Sequence, residues 1–128
     1  MPKSIARIGG SAFSECTSLE GIALPEQLLA IESYAFVSSG LRTVTVPEHV
    51  EFIGDGAFDC ESLTEVIMMP KDPPTLDNFV VQGYPYHLVF GGWTYPIYVP
   101  SDRVGYYMSG IEWDFYVDRI FPISERNH

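Results

Sequence analysis

Apolar positions along the chain recur in a fixed order and at a nearly fixed spacing. Ala-Phe pairs stand at residues 12–13, 35–36 and 57–58, with spacings of 23 and 22 residues. Each copy begins with a proline, and a further proline follows the third copy: Pro2, Pro25, Pro47 and Pro70. A period of this length is typical of a solenoid, in which equivalent side chains lie above one another in successive coils.

Two elements are predicted within each copy. Residues 41–46 alternate between apolar and polar side chains and are rich in β-branched residues, which predicts a strand. The segment around each Ala-Phe pair is too short for a stable isolated helix, so we expect a helical turn held by packing, with Phe inside the coil. The strands are expected to place these side chains on the outer face of their sheet: Gly21, Ala23, Thr43, Thr45, Glu65 and Ile67.

After Pro70 the spacing changes, because 30 residues separate Pro70 from Pro100. The excess lies in residues 71–96, which are rich in aromatic side chains: Phe79, Tyr84, Tyr86, Phe90, Trp93 and Tyr95. One interpretation is that these rings plug the end of the solenoid; the other is that some are exposed as a binding patch. Tyr98 stands two residues before its proline, as Thr45 does, so we expect it on the outer sheet face beside the patch.

The last part of the chain has a helical pattern. Ser101 is a good N-cap residue, and Val104 and Tyr107 follow at helical spacing. The domain organisation predicted is three repeats in residues 1–70, the first truncated, an irregular final coil in 71–100, and a C-terminal cap in 101–123. Residues 124–128 are expected to form a loose tail.

The two cysteines fall in one column of the repeat. Cys16 and Cys60 each stand three residues before a repeat leucine, where the middle copy has Ser38. Neighbouring strands lie about 4.8 Å apart, so cysteines two copies apart are separated by about 10 Å, beyond the roughly 7 Å limit for a disulfide. We therefore expect two reduced and poorly accessible thiols.

Composition and charge narrow the classes of partner. The chain has 128 residues, of which 46% are hydrophobic, enough for one domain with a core. Its formal net charge of −10 disfavours binding to nucleic acid or to an anionic membrane and favours cationic partners. No apolar run reaches the roughly 20 residues needed to span a bilayer, so we expect no membrane insertion.

Catalytic and metal-binding motifs are not found in the sequence. His49, His87 and His128 are far apart, and Asp55-Gly56 lacks the alternating oxygen ligands of a calcium loop. The sequence also lacks a phosphate-binding loop and a nucleophile elbow. We therefore expect no catalytic residues, no metal site and no cofactor.

Two phrases carry a family resemblance: Leu19-Glu20-Gly21-Ile22-Ala23-Leu24-Pro25 and Ile53-Gly54-Asp55-Gly56-Ala57-Phe58. They resemble the BspA-type (Treponema pallidum-type) leucine-rich repeat. The resemblance implies an α/β leucine-rich-repeat solenoid that is right-handed, with mostly parallel strands, short helical turns and a C-terminal helical cap. It also implies a bacterial or protist cell-surface or secreted protein that functions in adhesion and protein binding, without catalytic residues.

Three functional classes are open at this point. The favoured hypothesis is a non-catalytic module that binds a protein, such as a host or matrix surface. The alternatives are a carbohydrate-binding module that binds a glycan through the aromatic insertion, and a structural spacer within a longer surface protein. The candidate binding residues are Tyr86, Trp93, Tyr95, Tyr98, Thr43, Thr45, Glu65 and Ile67.

The start of the sequence is unusual for a repeat protein. Met1-Pro2 aligns with Leu24-Pro25, at the end of a strand, and repeat sequence follows it rather than the apolar region of a signal peptide. We interpret the chain as a fragment of a longer surface protein; the alternative is a short natural chain whose open first coil is covered by another copy. An open coil predicts weak self-association through that end.

Overall fold

The computed structural model describes residues 5–77, 80–81, 84–85, 88–91, 93–110 and 112–126. The strands are β1 (Arg7–Ile8), β2 (Ala30–Ile31), β3 (Thr43–Val46), β4 (Phe52–Ile53), β5 (Glu65–Met68), β6 (Thr75–Leu76), β7 (Val80–Val81), β8 (Tyr84–Pro85), β9 (Ile97–Val99) and β10 (Ile120–Pro122). The helices are α1 (Val104–Met108) and two 3-10 helices, Trp113–Arg119 and Ile123–Glu125.

Most of these strands belong to two parallel sheets of four strands each. The first sheet has the order β1-β2-β4-β6, and the second has the order β3-β5-β9-β10. Strand pairs are in register at intervals of one repeat, as where Ile31 pairs with Ile53 in the first sheet. Successive repeats therefore lie on top of one another, with the core between the two sheets.

A column of phenylalanine rings runs through this core. The rings of Phe13, Phe36, Phe58 and Phe90 stack nearly parallel, with centroid separations of 5.2, 5.6 and 6.0 Å. Backbone bonds accompany the column, since the Phe36 N–H donates to the Ala57 carbonyl at 3.0 Å and the Phe58 N–H to the Val89 carbonyl at 2.8 Å. Val89 and Phe90 thus take the place of a fourth Ala-Phe pair.

The repeat continues past Pro70, although the sequence pattern predicts a break there. Leu76 pairs in register with Ile53. Five positions separate Ile53 from Phe58, whereas fourteen separate Leu76 from Phe90, so the fourth repeat carries nine extra residues. The antiparallel pair β7–β8 lies in this insertion. The irregular part is therefore confined between Leu76 and Phe90 rather than spread over residues 71–100.

Gly54 lies where the second and third repeats approach each other closely. A Cβ atom on Gly54 would lie 2.4 Å from the backbone nitrogen of Ser33, one repeat earlier. Backbone atoms cannot move aside as a flexible side chain can, so a larger residue at position 54 would push the two repeats apart. Glycine is needed here for space.

Aromatic side chains of the C-terminal segment cover the far side of Phe90. The centroids of Trp113 and Tyr116 lie 5.5 and 5.0 Å from that of Phe90. The Tyr107 hydroxyl donates to the Pro70 carbonyl at 2.6 Å, and the Trp113 indole N–H donates to the Pro74 carbonyl at 2.8 Å. These bonds satisfy the buried polar tips of the rings, which lets large aromatic side chains close the core.

The ends of this segment differ from the sequence predictions. Ser101 does not cap α1, whose N-cap residue is Arg103; instead, the Ser101 hydroxyl accepts a hydrogen bond from the Ser124 N–H at 3.0 Å. Residues 124–126 were expected to lie in a loose tail, yet Arg126 forms a salt bridge to Glu65 on the second sheet. The chain returns to the sheet after β10.

The cysteines lie in the same column, but only one of them is buried. Both thiols are free. Cys60 is buried with its Sγ 3.4 Å from the Ser39 hydroxyl, so Ser39, and not Ser38, is the residue of the middle copy in this column. Cys16 is exposed, and the prediction that it is poorly accessible is wrong. Within the described residues, the first repeat, which contains Cys16, has a neighbouring repeat on one side only.

Candidate functional site

The outer face of the second sheet presents one continuous row of side chains. Register pairing places these residues side by side across four strands: Thr45, Ile67, Tyr98 and Phe121. Alternation accounts for their direction, because Val44 and Val46 are buried while Thr43 and Thr45 are exposed. The predicted positions of Thr43, Thr45, Glu65, Ile67 and Tyr98 on the outer face are therefore confirmed. We call the four residues the outer row.

The apolar end of the outer row is formed by two aromatic rings. The centroids of Tyr98 and Phe121 lie 6.3 Å apart with an angle of 47° between the planes. Phe121 is 39% exposed, which is high for a large apolar side chain on a sheet. A cleft of about 420 Å³ adjoins the two rings and is lined by Thr94, Pro96, Tyr98, Asp118, Phe121 and Glu125. This end offers an apolar surface with two carboxylates at its edge.

A charged pair lies next to the outer row. The Glu65 carboxylate accepts hydrogen bonds from Nε and Nη2 of Arg126 at 2.8 and 2.6 Å, and from the Thr43 hydroxyl at 3.0 Å. The hydrogen bond from Arg126 lowers the pKa of Glu65; burial opposes this effect, and the bond from Thr43 adds to it. A bidentate pair of this kind fixes both side chains. Arg126 is therefore held beside β5 and the outer row.

Tyr95 does not belong to an exposed patch, and its assignment as a surface residue is wrong. It is 5% exposed, and its hydroxyl donates to the Phe58 carbonyl at 2.7 Å. The guanidinium carbon of Arg119 lies 4.4 Å from the centre of its ring. Arg119 also donates to the carbonyls of Tyr95 and Gly91 at 3.1 and 3.0 Å. Tyr95 thus helps to close the core, as the plug interpretation requires.

Trp93 is exposed, but it lies in a different place from Tyr98. It is 39% exposed, and its indole N–H donates to the Asp59 carboxylate at 2.7 Å. It lines a cleft of about 680 Å³ with Thr17, Ser38, Ser39, Gly40, Asp59, Glu61 and Ser62. Among the residues that the structure describes, none lines both this cleft and the one at Tyr98. The predicted continuous patch is therefore divided in two, and Tyr86 lies outside the described residues.

Two residues of the site were missed in the sequence. Phe121 lies in a short apolar run before a proline, which is typical of the strands in this chain, but it stands one residue before Pro122 whereas Tyr98 stands two before Pro100. The proline spacing that places Tyr98 on the outer face would therefore have selected Ile120, which is buried. Arg126 carries no such signal, because its contact with Glu65 joins positions 61 residues apart.

Metal chemistry and membrane insertion find no support in the described part of the chain. No group of three His, Cys, Asp or Glu side chains there is placed to hold a metal ion. None of the helices in residues 5–126 that the structure describes is long and apolar enough to cross a membrane.

Comparison with known families agrees with the repeats seen in the structure. A sequence model of the BspA type leucine rich repeat region, which comprises six copies, matches residues 1–80. The chain belongs to the BspA-type leucine-rich repeat family. No curated protein matched the chain. The BspA-type match includes the first three repeats and extends to the insertion in the fourth, and it is consistent with a protein-interaction or surface module.

Proposed function

We propose that this chain is a non-catalytic protein-binding module of a cell-surface or secreted protein, with a role in adhesion. Membership of the BspA-type family supports this, because leucine-rich repeats of this family typically belong to surface or secreted proteins. The proposal includes a right-handed solenoid closed by the C-terminal helices, since stacked repeats need a finished end. The observation that carries the proposal is the outer row, with its exposed aromatic end.

The outer row has the composition of a protein-binding surface. Aromatic side chains contribute most to the energy of interfaces, and a polar rim around them excludes water. Tyr98 and Phe121 provide the aromatic centre, and the Glu65–Arg126 pair lies beside it. With a net charge of −10, the chain favours a partner whose surface is cationic. A matrix or host surface protein with a basic patch fits these requirements.

Screening the module on an array of matrix and host surface proteins tests this proposal. For any partner found, Phe121→Ala is expected to weaken binding by about thirtyfold or more, since truncating an aromatic hot spot typically costs about 2 kcal/mol or more. Phe115→Ala is the matched control, because Phe115 is 44% exposed but lies in the 3-10 helix rather than on the sheet. Equal loss of binding in both variants, or in neither, would place the site elsewhere.

Carbohydrate binding at Trp93 is a second candidate function. A half-exposed indole surrounded by hydroxyl and carboxylate groups is the arrangement that stacks on a sugar ring while polar groups bind its hydroxyls. The cleft at Trp93 supplies Ser38, Ser62, Asp59 and Glu61. On a glycan array, Trp93→Ala is expected to abolish binding while Phe121→Ala retains it. If neither the protein array nor the glycan array returns a ligand, the structural-spacer function is favoured.

A further inference from the structure

β3 is an edge strand of the second sheet, although residues 20–24 of the first repeat run beside it. One backbone hydrogen bond joins the first repeat to the segment that leads into β3: the Arg42 N–H donates to the Glu20 carbonyl at 3.0 Å. Between residues 21–24 and 43–46, all of which the structure describes, no further backbone bond follows. One repeat later, the equivalent bond from the Thr64 N–H to the Arg42 carbonyl is 2.8 Å and four residue pairs follow it.

The residues of the first repeat explain why the pairing opens. Gly21 and Ala23 take the positions that Thr43 and Thr45 occupy in the second repeat and that Glu65 and Ile67 occupy in the third. Glycine and alanine are depleted in strands, and they offer no side chain to pack against a threonine on the neighbouring strand. Residues 21–24 therefore lie beside β3 without forming a strand with it.

The geometry of β3 shows which backbone groups lack a partner. The Met69 N–H donates to the Val46 carbonyl at 3.0 Å, so the backbone of Val46, and of Val44 two residues before it, faces β5. Alternate residues of a strand direct their backbone groups to opposite neighbours. The N–H and C=O groups of Thr43 and Thr45 therefore face residues 21–24, where the described chain gives them no partner. An edge of this kind is a template for another strand.

A cleft lies between the two segments rather than on the face of the sheet. Its volume is about 570 Å³, and its lining combines inward-facing Val44 with outward-facing Thr43 and Thr45. Ile22 and Leu24 line the other wall. Among the described residues that line it, Glu26 and Glu48 are acidic and none is basic. The cleft is thus largely apolar, with backbone groups along one wall and negative charge at its rim.

We propose that this cleft binds an extended, basic peptide segment of a partner protein, which pairs with β3 as an added strand. Backbone bonds to Thr43 and Thr45 would supply affinity, as in other cases of strand addition. Alternate apolar side chains of the peptide would enter beside Val44 and Leu24, and its cationic residues would face Glu26 and Glu48. The proposal does not depend on binding at the outer row: Thr45 belongs to both sites, but its backbone at the sheet edge is used here and its side chain on the sheet face is used there.

Amide hydrogen exchange by NMR tests the proposal residue by residue. The probe is a synthetic peptide of about eight residues, the length of an ordinary strand, in which Val and Thr alternate and Lys stands at both ends. In the free protein the amides of Thr43 and Thr45 are expected to exchange fast. Saturating peptide is expected to slow them by about tenfold or more, which corresponds to about 1.4 kcal/mol of protection, while Val44 and Val46 remain unchanged.

Two variants separate backbone pairing from side-chain contact. Thr45→Pro removes the N–H that faces the cleft, at an edge position where proline is tolerated. It is expected to weaken peptide binding by about tenfold or more, whereas Thr45→Val, which keeps the N–H, stays within about twofold. If Thr45→Pro does not fold, the exchange measurement on the unmodified protein still decides. A peptide with Glu in place of Lys is expected to bind more weakly at low salt.

Several results would overturn the proposal. One is unchanged exchange of Thr43 and Thr45 at saturating Lys peptide. Another is slow exchange of these amides in the dilute free protein, which would mean that residues 21–24 pair with β3 in solution. Protection that rises with protein concentration alone would assign the edge to a second copy of the chain. Each of these results can be measured without knowing which partner binds the outer row.

Discussion

The first and third repeats share the same motif but differ in burial. Phe58 is fully buried and stacks on Phe36 on one side and Phe90 on the other. Phe13 is half-buried and stacks on Phe36, and no other ring contacts it within the described residues. Cys60 is buried, whereas Cys16 in the same column is exposed. A repeat motif therefore specifies the position of a side chain in the coil, while burial requires a neighbouring repeat on both sides.

The two edges of the second sheet differ in the same way. At the C-terminal edge, the edge strand is β10, and α1 packs against it. At the N-terminal edge, the backbone of β3 faces residues that do not pair with it. The two proposed binding sites therefore use different groups of one sheet: side chains on its face in the outer row, and backbone groups at its β3 edge.

The largest expected effect on stability is at the middle of the phenylalanine column. Phe36→Ala removes a fully buried ring and is expected to cost about 3–5 kcal/mol of unfolding free energy. Phe13→Ala is expected to cost about 1–2 kcal/mol, because its ring is only half-buried. Thr45→Ala, on the outer face, is expected to cost less than about 1 kcal/mol. Urea denaturation measures all three, and equal midpoints for Phe36→Ala and Thr45→Ala would contradict the register of the repeats.

The reactivity of the two cysteines compares the burial of the first repeat with that of the third. Burial raises the pKa of the Cys60 thiol, and a buried thiol reacts only after the protein opens. In the Cys60→Ser variant, the remaining Cys16 is expected to react with a thiol reagent about a hundredfold faster than Cys60 does in Cys16→Ser. Comparable rates in the two folded variants would mean that the third repeat is no better closed than the first.

The partly exposed first repeat, with Phe13 half-buried and Cys16 exposed, also predicts weak self-association. Apolar side chains of this repeat can be covered by the same surface of a second copy. Light scattering of the unmodified protein is expected to show dimers only at high concentration, on the order of 1 mM, which corresponds to about 4 kcal/mol of association free energy. Phe13→Asp, which places a charge in the half-buried ring position, is expected to abolish these dimers. A strictly monomeric protein at such concentrations would show that the first repeat is already shielded.

The smallest expected effect concerns the Glu65–Arg126 pair and depends on pH. The pKa of Glu65 lies below its ordinary value of 4.5, chiefly because of the hydrogen bond from Arg126. A lowered pKa in the folded state gives stability that is complete above the ordinary value and is lost as pH falls through the lowered pKa. Arg126→Gln is expected to reduce the melting temperature slightly at pH 7 and to match the unmodified protein at about pH 2. If the difference in melting temperature between the two proteins is the same at both pH values, the stabilisation by Arg126 comes from packing and not from its charge.

Local patterns in the sequence sufficed to predict the family and the repeated columns. The Ala-Phe pairs and the alternation of Thr43 to Val46 are local, and the structure follows them. Phe90 was not recognised as a member of the column because nine extra residues separate it from Leu76 and because Val89 replaces alanine. Tyr95 was assigned to the surface, since nothing near it in sequence reveals that Arg119 and Phe58 enclose it.

The same reason explains what was missed in the candidate site. The position of Tyr98 followed from its proline, but the same spacing fails for Phe121, because Pro122 pairs with Val99 and not with Pro100. Arg126 reaches Glu65 across 61 residues, and the opening between β3 and residues 21–24 depends on a bond that fails to form. Contacts between distant segments have no local pattern, and although Gly21 and Ala23 are poor strand residues, only the structure shows which backbone bonds are missing.

The central claim is that a protein partner binds the outer row, and side-chain footprinting tests it most directly. Aromatic side chains are oxidised by hydroxyl radicals with and without the partner found on the protein array, and the modification of each ring is measured. Tyr98 and Phe121 are expected to be protected by about fivefold or more, as for hot-spot residues from which an interface excludes water, whereas exposed Phe115 is expected to remain unchanged. Protection of Phe115 with no change at Tyr98 and Phe121 would contradict the claim.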